Sequence, residues 1–564
     1  SGAGKSTLLG ALAGYARATA GVLRVNGEDY YARFDDWRAA LGYVPQDDVL
    51  HRDLGVTRAL MYAARLRLPA DTSEAEIDAR VARVLDAVEM TAHREKLVSD
   101  LSGGQRKRVS IAAELLADPS LFFLDEPTSG LDPGLEKKMM YTLRRLADGG
   151  RTVVLVTHAT ANITRCDHVA FMAEGRLVYF GPPAEALGFF GVTSGDFADI
   201  YSKLDGPAAP ASPLVRTELQ DEYNRWRKDH PDTSDAQPPP LAALWELRYR
   251  ASPQHRKYVA ERLGEVLDAS REAPPPPARG AARIGAKRGS SALGQFVLLT
   301  RRYAELVAHD RKNLAILLAQ APVIGGLLCL VAKSGTFEGP SASAPEARKV
   351  LFVLATVAVW FGIINAAREI AKEAAIYRRE RLATLRIGPY LFSKFAVLGA
   401  LTLVQTAALM GVLQAHFALS RNGVLMLASP EIFVTTLLAS LASLGFGLLL
   451  SALAATPDKA MSAVPLALVP QILFAGNIFK LEGASSALSW LTVSRWAFDA
   501  YGATADLNHM RYAPGARTMA QYGLAETAFT ASSSHILSRW AALGVQMVVC
   551  LALTALVLRR RDPR

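Results

Sequence analysis

The opening residues, Ser1-Gly2-Ala3-Gly4-Lys5-Ser6-Thr7, place two glycines, a lysine and three hydroxyl side chains within seven positions. A glycine-rich turn that opens a helix points its backbone N–H groups at a common centre, which suits phosphate oxygens. In the pattern G-x-x-x-x-G-K-[ST], Gly4, Lys5 and Ser6 fill the last three places. Lys5 is then expected to reach the β and γ phosphates of a nucleotide, and Ser6 to ligate Mg2+. The first glycine of the pattern would fall two positions before Ser1, so the sequence reads as one cut inside its own phosphate loop.

A second run can do chemistry on what such a loop holds. Leu121-Phe122-Phe123-Leu124 is apolar enough for a buried strand, and Asp125-Glu126 follows at its C-terminal end. There Asp125 is placed to hold Mg2+ through water, and Glu126 to orient or deprotonate the attacking water. An Asp-Glu pair can also be a solvated turn, but the apolar strand before it argues against that. Leu101-Ser102-Gly103-Gly104-Gln105 precedes a helical run from Arg106 to Leu116. Gln46 follows a short apolar strand and is placed to touch Mg2+. His158 ends the strand from Val153 to Thr157 and is placed to contact the γ-phosphate. A lone histidine at a strand end is commonly structural; the ordered company of the other runs gives this one a chemical reading.

The elements that must position these groups follow from patterning. Residues 1–200 alternate short apolar runs, such as Val153-Val154-Leu155-Val156, with helical patterns, which predicts a parallel α/β sheet. Gly21 to Gly27 reads as a hairpin strand with its turn. Residues 201–293 carry Pro238-Pro239-Pro240 and Pro274-Pro275-Pro276-Pro277 among many charges, and read as a cytosolic linker, helical around Leu241–Ala269. Residues 294–312 read as a connecting amphipathic helix. Residues 313–564 hold six apolar stretches, near Leu314–Ala332, Val350–Ala367, Phe395–Phe417, Ile432–Leu453, Ala460–Phe479 and Trp540–Leu558. Each approaches the roughly 20 residues that cross a bilayer. The expected fold class is therefore an α/β P-loop NTPase followed by an all-α six-helix transmembrane domain.

Charge and cysteine usage exclude other classes. The sum of 63 Lys and Arg against 53 Asp and Glu is +10, but the basic clusters flank membrane spans, which speaks against a nucleic-acid partner. Arg368, Lys372, Arg378, Arg379, Arg381, Arg386 and Lys394 lie between the second and third spans, and Arg559, Arg560 and Arg561 follow the sixth. Six spans put both clusters on the cytosolic side with the nucleotide domain, and leave 480–538 outside. The three cysteines, Cys166, Cys329 and Cys550, show neither disulfide nor zinc spacing. Polar residues within spans, namely Asn365, Gln405, Gln471, Gln546 and His416, are candidates either for substrate contact or for helix packing.

Taken in order, these runs resemble the ATP-binding cassette of ABC transporters, closely over residues 1 to about 195. The resemblance implies ATP and Mg2+ as cofactors. It assigns the phosphate loop to Gly2, Gly4, Lys5, Ser6 and Thr7, and the Q-loop to Gln46. The signature falls at Ser102, Gly103, Gly104 and Gln105, the magnesium carboxylate at Asp125, the catalytic glutamate at Glu126, the D-loop at Ser129–Asp132 and the switch histidine at His158. An adenine-stacking aromatic would lie upstream of Ser1. The cassette-first order resembles the G-type (white/pigment) half-transporters, as do Tyr377-Arg378-Arg379-Glu380-Arg381 with Gly388-Pro389-Tyr390, and Ser489 to Trp496. The composition resembles that of bacterial members, which often carry a forkhead-associated regulatory domain upstream.

That resemblance implies a homodimer, because ATP is sandwiched between the phosphate loop of one copy and the signature of the other. It implies an inner-membrane, multi-pass protein in the lipid bilayer, with cassette and C-terminus cytoplasmic, that exports a lipid, glycolipid or other amphipathic compound. Trp360, Phe361, Asn365, Gln471 and Phe474 would line the substrate path. The alternative is an ATP-driven transmembrane signaller that regulates an envelope enzyme and moves no substrate. Force is expected to pass through the helices around Leu293–Asp310 and Arg368–Leu385. The second mixes Glu369, Glu373 and Glu380 with Arg378, Arg379 and Arg381, and is expected either to pair with charges on the cassette or to act as a basic anchor helix at the lipid surface.

Overall fold

The structure is a computed structural model that describes residues 2–37, 40–158, 160–205, 213–230, 239–265, 291–417, 422–479 and 481–562. Ser1, Pro238 and the proline run 274–277 lie outside the described residues. The chain divides into two compact units, 1–289 with 382–384 and 563–564, and 290–381 with 385–562.

In the first unit a parallel sheet has the order Leu41–Val44, Leu121–Asp125, Thr152–Val156. Side chains of a strand alternate between faces, and both faces are covered. Phe122 and Leu124 pack into one core with Leu60, Val109, Ile111 and Met140. Phe123, with Tyr43 on the neighbouring strand, packs on the other face against Leu9 and Ala13 from the helix Lys5–Leu12 and its C-cap. Asp125 is two positions beyond Phe123, so the same alternation turns it toward the face that carries this helix.

The helix Gly103–Leu115 is held at its start by a capping box. Ser102 Oγ accepts from Gln105 N, and Ser102 N donates to Gln105 Oε1 at 2.9 Å. Its inward face carries buried charge as well as apolar groups. Glu114 accepts from both terminal nitrogens of Arg67, at 2.7 and 2.6 Å.

The segment expected as a linker shares a core with residues 163–200. A hairpin of Val169–Ala173 and Arg176–Gly181 is covered by the helices Gln220–Asp229 and Leu241–Ala251. Tyr223, Trp245 and Tyr249 bury against Phe171, Tyr179 and Phe190. Trp245 Nε1 donates to Lys203 O at 3.1 Å, and Tyr249 OH to Phe180 O at 3.1 Å. Three large aromatic residues bury enough surface to fix a segment whose charge content reads as solvated.

The second unit is helical. Five helices among the described residues are long and apolar enough to cross a membrane. They are Arg311–Val331, the helix beginning at Ala344, Ile387–His416, Ala428–Leu453 and Ser533–Arg560. The second and fourth approach at glycines: a Cβ on Gly362 would stand 2.2 Å from Ser440 O, and one on Gly447 would stand 2.8 Å from Ile363 O.

The expected fifth span, Ala460–Phe479, differs. The helix runs Pro457–Leu473, 17 residues with Pro465 and Pro470 inside, and the chain turns at Gly476, where φ is +85°. Proline removes hydrogen-bond donors from the helix, and a left-handed glycine ends its direction. The helix Val493–Thr504 buries Ala497, Phe498 and Tyr501 in the same core as the second and fourth spans.

Glu369, Glu373 and Glu380 each have a partner inside the second unit. Arg302, on the helix Ala292–His309, donates to both oxygens of Glu380 at 2.6 and 2.9 Å. Tyr303 OH donates to Glu369, and Lys394, at the start of the third span, meets Glu373 at 2.8 Å. Arg381 Nε donates to Asp562 at 2.8 Å.

Candidate functional site

Gly4 caps the helix Lys5–Leu12 with φ +87°, and Gly2 has φ +88°. Those left-handed dihedrals suit glycine and let the loop turn its amides inward. Ser6, in the first turn, donates its hydroxyl to Asp125 Oδ1 at 3.0 Å. The phosphate loop and the end of the central strand are thus joined by one hydrogen bond between residues 119 positions apart in sequence. Asp125 is buried, whereas Ser6 and Thr7, in the first turn of the helix, are exposed.

Glu126 follows with φ +47°, a backbone region that non-glycine residues seldom occupy. Its N–H is held by Val156 O at 2.9 Å, on the next strand. The turn brings its carboxylate to two groups from neighbouring strand ends. Gln46 Nε2 donates to Glu126 Oε2 at 3.4 Å, and His158 Nε2 stands 3.1 Å from Glu126 Oε1. Strain of this kind at a non-glycine residue collects where surrounding structure demands a particular side-chain position.

Five residues expected to act together, Ser6, Gln46, Asp125, Glu126 and His158, are therefore brought together by the ends of three strands and one helix. A hydroxyl, a carboxylate and an amide carbonyl are hard oxygen donors, which fits Mg2+ better than a softer metal. No cluster of three or more His, Cys, Asp or Glu with metal-binding geometry occurs among the described residues.

The signature residues are engaged elsewhere. Ser102 and Gln105 cap their helix, and Gln105 Nε2 lies 3.0 Å from His93 Nε2. Gly104 is buried, and a Cβ there would meet Leu131 Cδ2 at 2.5 Å, so the signature packs tightly on the loop Ser129–Asp132. Asp132 caps the helix Pro133–Asp148, accepting from Gly134 N and Leu135 N at 3.0 Å each.

One residue of this neighbourhood escaped the sequence reading. Lys107 is 4% exposed and donates to Pro45 O at 2.9 Å and Gln46 O at 2.7 Å. Burial pulls its ammonium below the ordinary lysine value, against the opposing pull of Asp48, Asp125, Asp47 and Glu126. Its sequence signal is spacing. Lys107, Ser110, Ile111 and Glu114 recur at three and four residues, which puts two charges on the buried face of the helix.

In the second unit, the five polar residues of the spans all have protein partners. Asn365 Nδ2 donates to Gln405 Oε1 at 2.7 Å, and Gln405 Nε2 donates to Leu317 O at 2.8 Å. Gln471 Oε1 accepts from Ser494 N at 3.1 Å. Gln546 Nε2 donates to Trp490 O at 2.9 Å, and His416 Nε2 lies 2.8 Å from Ala332 O. Phe361 is fully buried in the core, whereas Trp360 is 44% exposed and Phe474 is partly exposed.

Residues 1–129 match the family described as ABC transporter, and residues 294–504 match the family described as ABC-2 type transporter. The chain is 36% identical over 527 residues to the ABC transporter ATP-binding/permease protein Rv1747 of Mycobacterium tuberculosis. That alignment covers 92% of this chain and 55% of the relative, so the chain spans about half the length of that protein. It is 28% identical over 534 residues to ABC transporter G family member 7 of Arabidopsis thaliana, covering 88% of this chain and 67% of the relative. Over 238 residues it is 35% identical to the broad substrate specificity ATP-binding cassette transporter ABCG2 of Bos taurus, covering 40% of this chain and 36% of the relative.

Proposed function

The chain belongs to the ABC transporters, with an ATP-binding cassette ahead of an ABC-2 type membrane domain in the G-type order, and from that premise we propose that it couples ATP hydrolysis to movement of an amphipathic compound across the membrane. The observation that carries this reading is the cluster around Glu126, whose carboxylate stands 3.4 Å from Gln46 Nε2 and 3.1 Å from His158 Nε2, beside the Ser6–Asp125 hydrogen bond.

In this reading Lys5 and the loop amides bind the β and γ phosphates. Ser6, Asp125 and Gln46 would hold Mg2+, which when bound would neutralise charge on the transferred phosphoryl group. Glu126 accepts a proton from the attacking water. His158, whose Nε2 stands 3.1 Å from Glu126 Oε1, holds the carboxylate in place on the γ-phosphate side. Two copies complete two sites, each signature Ser102–Gln105 facing the phosphate loop of the other copy. The cassette and the C-terminus face the cytoplasm of a cell whose inner membrane holds the spans. Of the residues expected on the substrate path, we assign contact to Trp360 and Phe474, which have free surface, and helix packing to Phe361, Asn365 and Gln471.

The test is a vesicle assay with the purified full-length protein in phosphatidylethanolamine–phosphatidylglycerol bilayers containing a fluorescent lipid analogue. The expected result is ATP-dependent movement of the analogue, with hydrolysis stimulated by it. Steady hydrolysis with neither stimulation nor movement, across a panel of envelope lipids and glycolipids, would overturn transport in favour of ATP-driven signalling.

A further inference from the structure

We propose that Lys107 is a positioning residue for ATP hydrolysis: its ammonium ties the Q-loop carbonyls of Pro45 and Gln46 to the signature helix and so sets where the Gln46 side chain stands relative to Glu126. The assignment rests on the function proposed above and adds to it a wire between two motifs of one cassette.

The geometry is local and specific. Lys107 lies on the helix Gly103–Leu115, two residues after Gln105, the last residue of the signature. Its Nζ donates to Pro45 O at 2.9 Å and to Gln46 O at 2.7 Å, across 62 and 61 residues of sequence. Next to it, Arg106 Nε stands 3.7 Å from Asp48 Oδ2, so two adjacent basic residues grip the same loop. Beyond the loop, Gln46 Nε2 reaches Glu126 Oε2 at 3.4 Å. The chain of contact runs from signature helix to Lys107, to the Q-loop backbone, to the Gln46 amide, to Glu126.

Burying an ammonium is costly unless its donors are used. A buried lysine whose bonds go to consecutive carbonyls fixes both peptide planes. The planes of residues 45 and 46 set the direction in which the Gln46 side chain leaves the backbone. An apolar residue of similar length would fill the space but leave two carbonyls without this donor. A shift of the signature helix would then no longer be passed to Gln46.

The experiment is a double-variant cycle on the full-length protein in lipid bilayers, with K107M, Q46A and K107M/Q46A. K107M is expected to lower kcat for ATP about tenfold, with KM changed less than about twofold, because a positioning contact acts on turnover rather than on nucleotide affinity. In the Q46A background the same replacement is expected to change kcat by less than about twofold, since the two residues act in one chain. K107Q, which keeps two donors, is expected to recover most of the activity. If K107M does not accumulate as folded protein, the same cycle with K107R, which keeps the charge but moves the donors, decides the question. Wild-type kcat in K107M, or equal losses in both backgrounds, would overturn this assignment alone. Failure of the unaltered protein to hydrolyse ATP would instead overturn the function on which it rests.

Discussion

Glu126→Gln in the full-length protein lowers the turnover number for ATP about 10²- to 10⁴-fold and leaves ATP binding in place; that is the size of effect a positioned general base contributes. The amide has nearly the shape of the carboxylate and can still meet Gln46 and His158, now 3.4 and 3.1 Å from the Glu126 oxygens. What it loses is the ability to take a proton from water. Binding depends on the loop at Gly4–Ser6 and on the Ser6–Asp125 bond at 3.0 Å, neither of which the replacement touches. Steady-state turnover beside equilibrium binding of a fluorescent nucleotide separates the two. Turnover at the unaltered rate would remove Glu126 from the role proposed for it.

The second large effect is on stability. Glu380→Gln is expected to destabilise the protein by about 3–5 kcal/mol, the usual cost of leaving one half of a buried ion pair behind. Arg302 and Glu380 are both buried, and their two bonds measure 2.6 and 2.9 Å. Loss of the charge strands the Arg302 guanidinium among Glu373, Tyr390 and apolar neighbours, and burial weighs against it. The measurement is the thermal unfolding midpoint of the purified protein in detergent. The joint replacement R302M/E380L is expected to recover most of the loss, because an apolar pair of similar volume removes both buried charges. A single variant as stable as the unaltered protein would mean the pair is wetter than its burial indicates.

The sequence makes the cassette legible because its chemistry sits where strands end. Asp125 follows four apolar residues, and His158 follows Val153–Thr157, so period and polarity change at the residues that matter. Lys107 was hidden for the opposite reason. It lies inside a helix of mixed charge, where a lysine reads as solvated, and only its spacing with Ile111 and Glu114 marks it as inward. Residues 201–293 read as linker because charge and proline outweigh Tyr223, Trp245 and Tyr249 in composition, though not in burial. In the second unit, five of the six apolar stretches fall on helices long and apolar enough to cross a membrane. At the stretch Ala460–Phe479 the helix ends at Leu473, where Pro465, Pro470 and Gly476 decide the geometry. Of the partners of Glu369, Glu373 and Glu380, only Lys372, three residues after Glu369, is legible in the sequence. Others, such as Arg302 and Tyr303, lie more than 60 positions away, and the packing of helices brings them close.

The parallel strands also act as a ruler. Val44, Leu124 and Leu155 lie in one row of the sheet. Gln46 and Glu126 come two residues past that row, and His158 three. Residue count from the row to each strand end, rather than the identity of the residues between, fixes the reach of all three groups. One inserted or deleted residue at the end of any strand slides its functional side chain by about 3.3 Å and swaps its face. Conservative exchange of one aliphatic residue for another inside a strand leaves the count intact. Over evolutionary time, then, these three strand ends can drift in spelling but not in length.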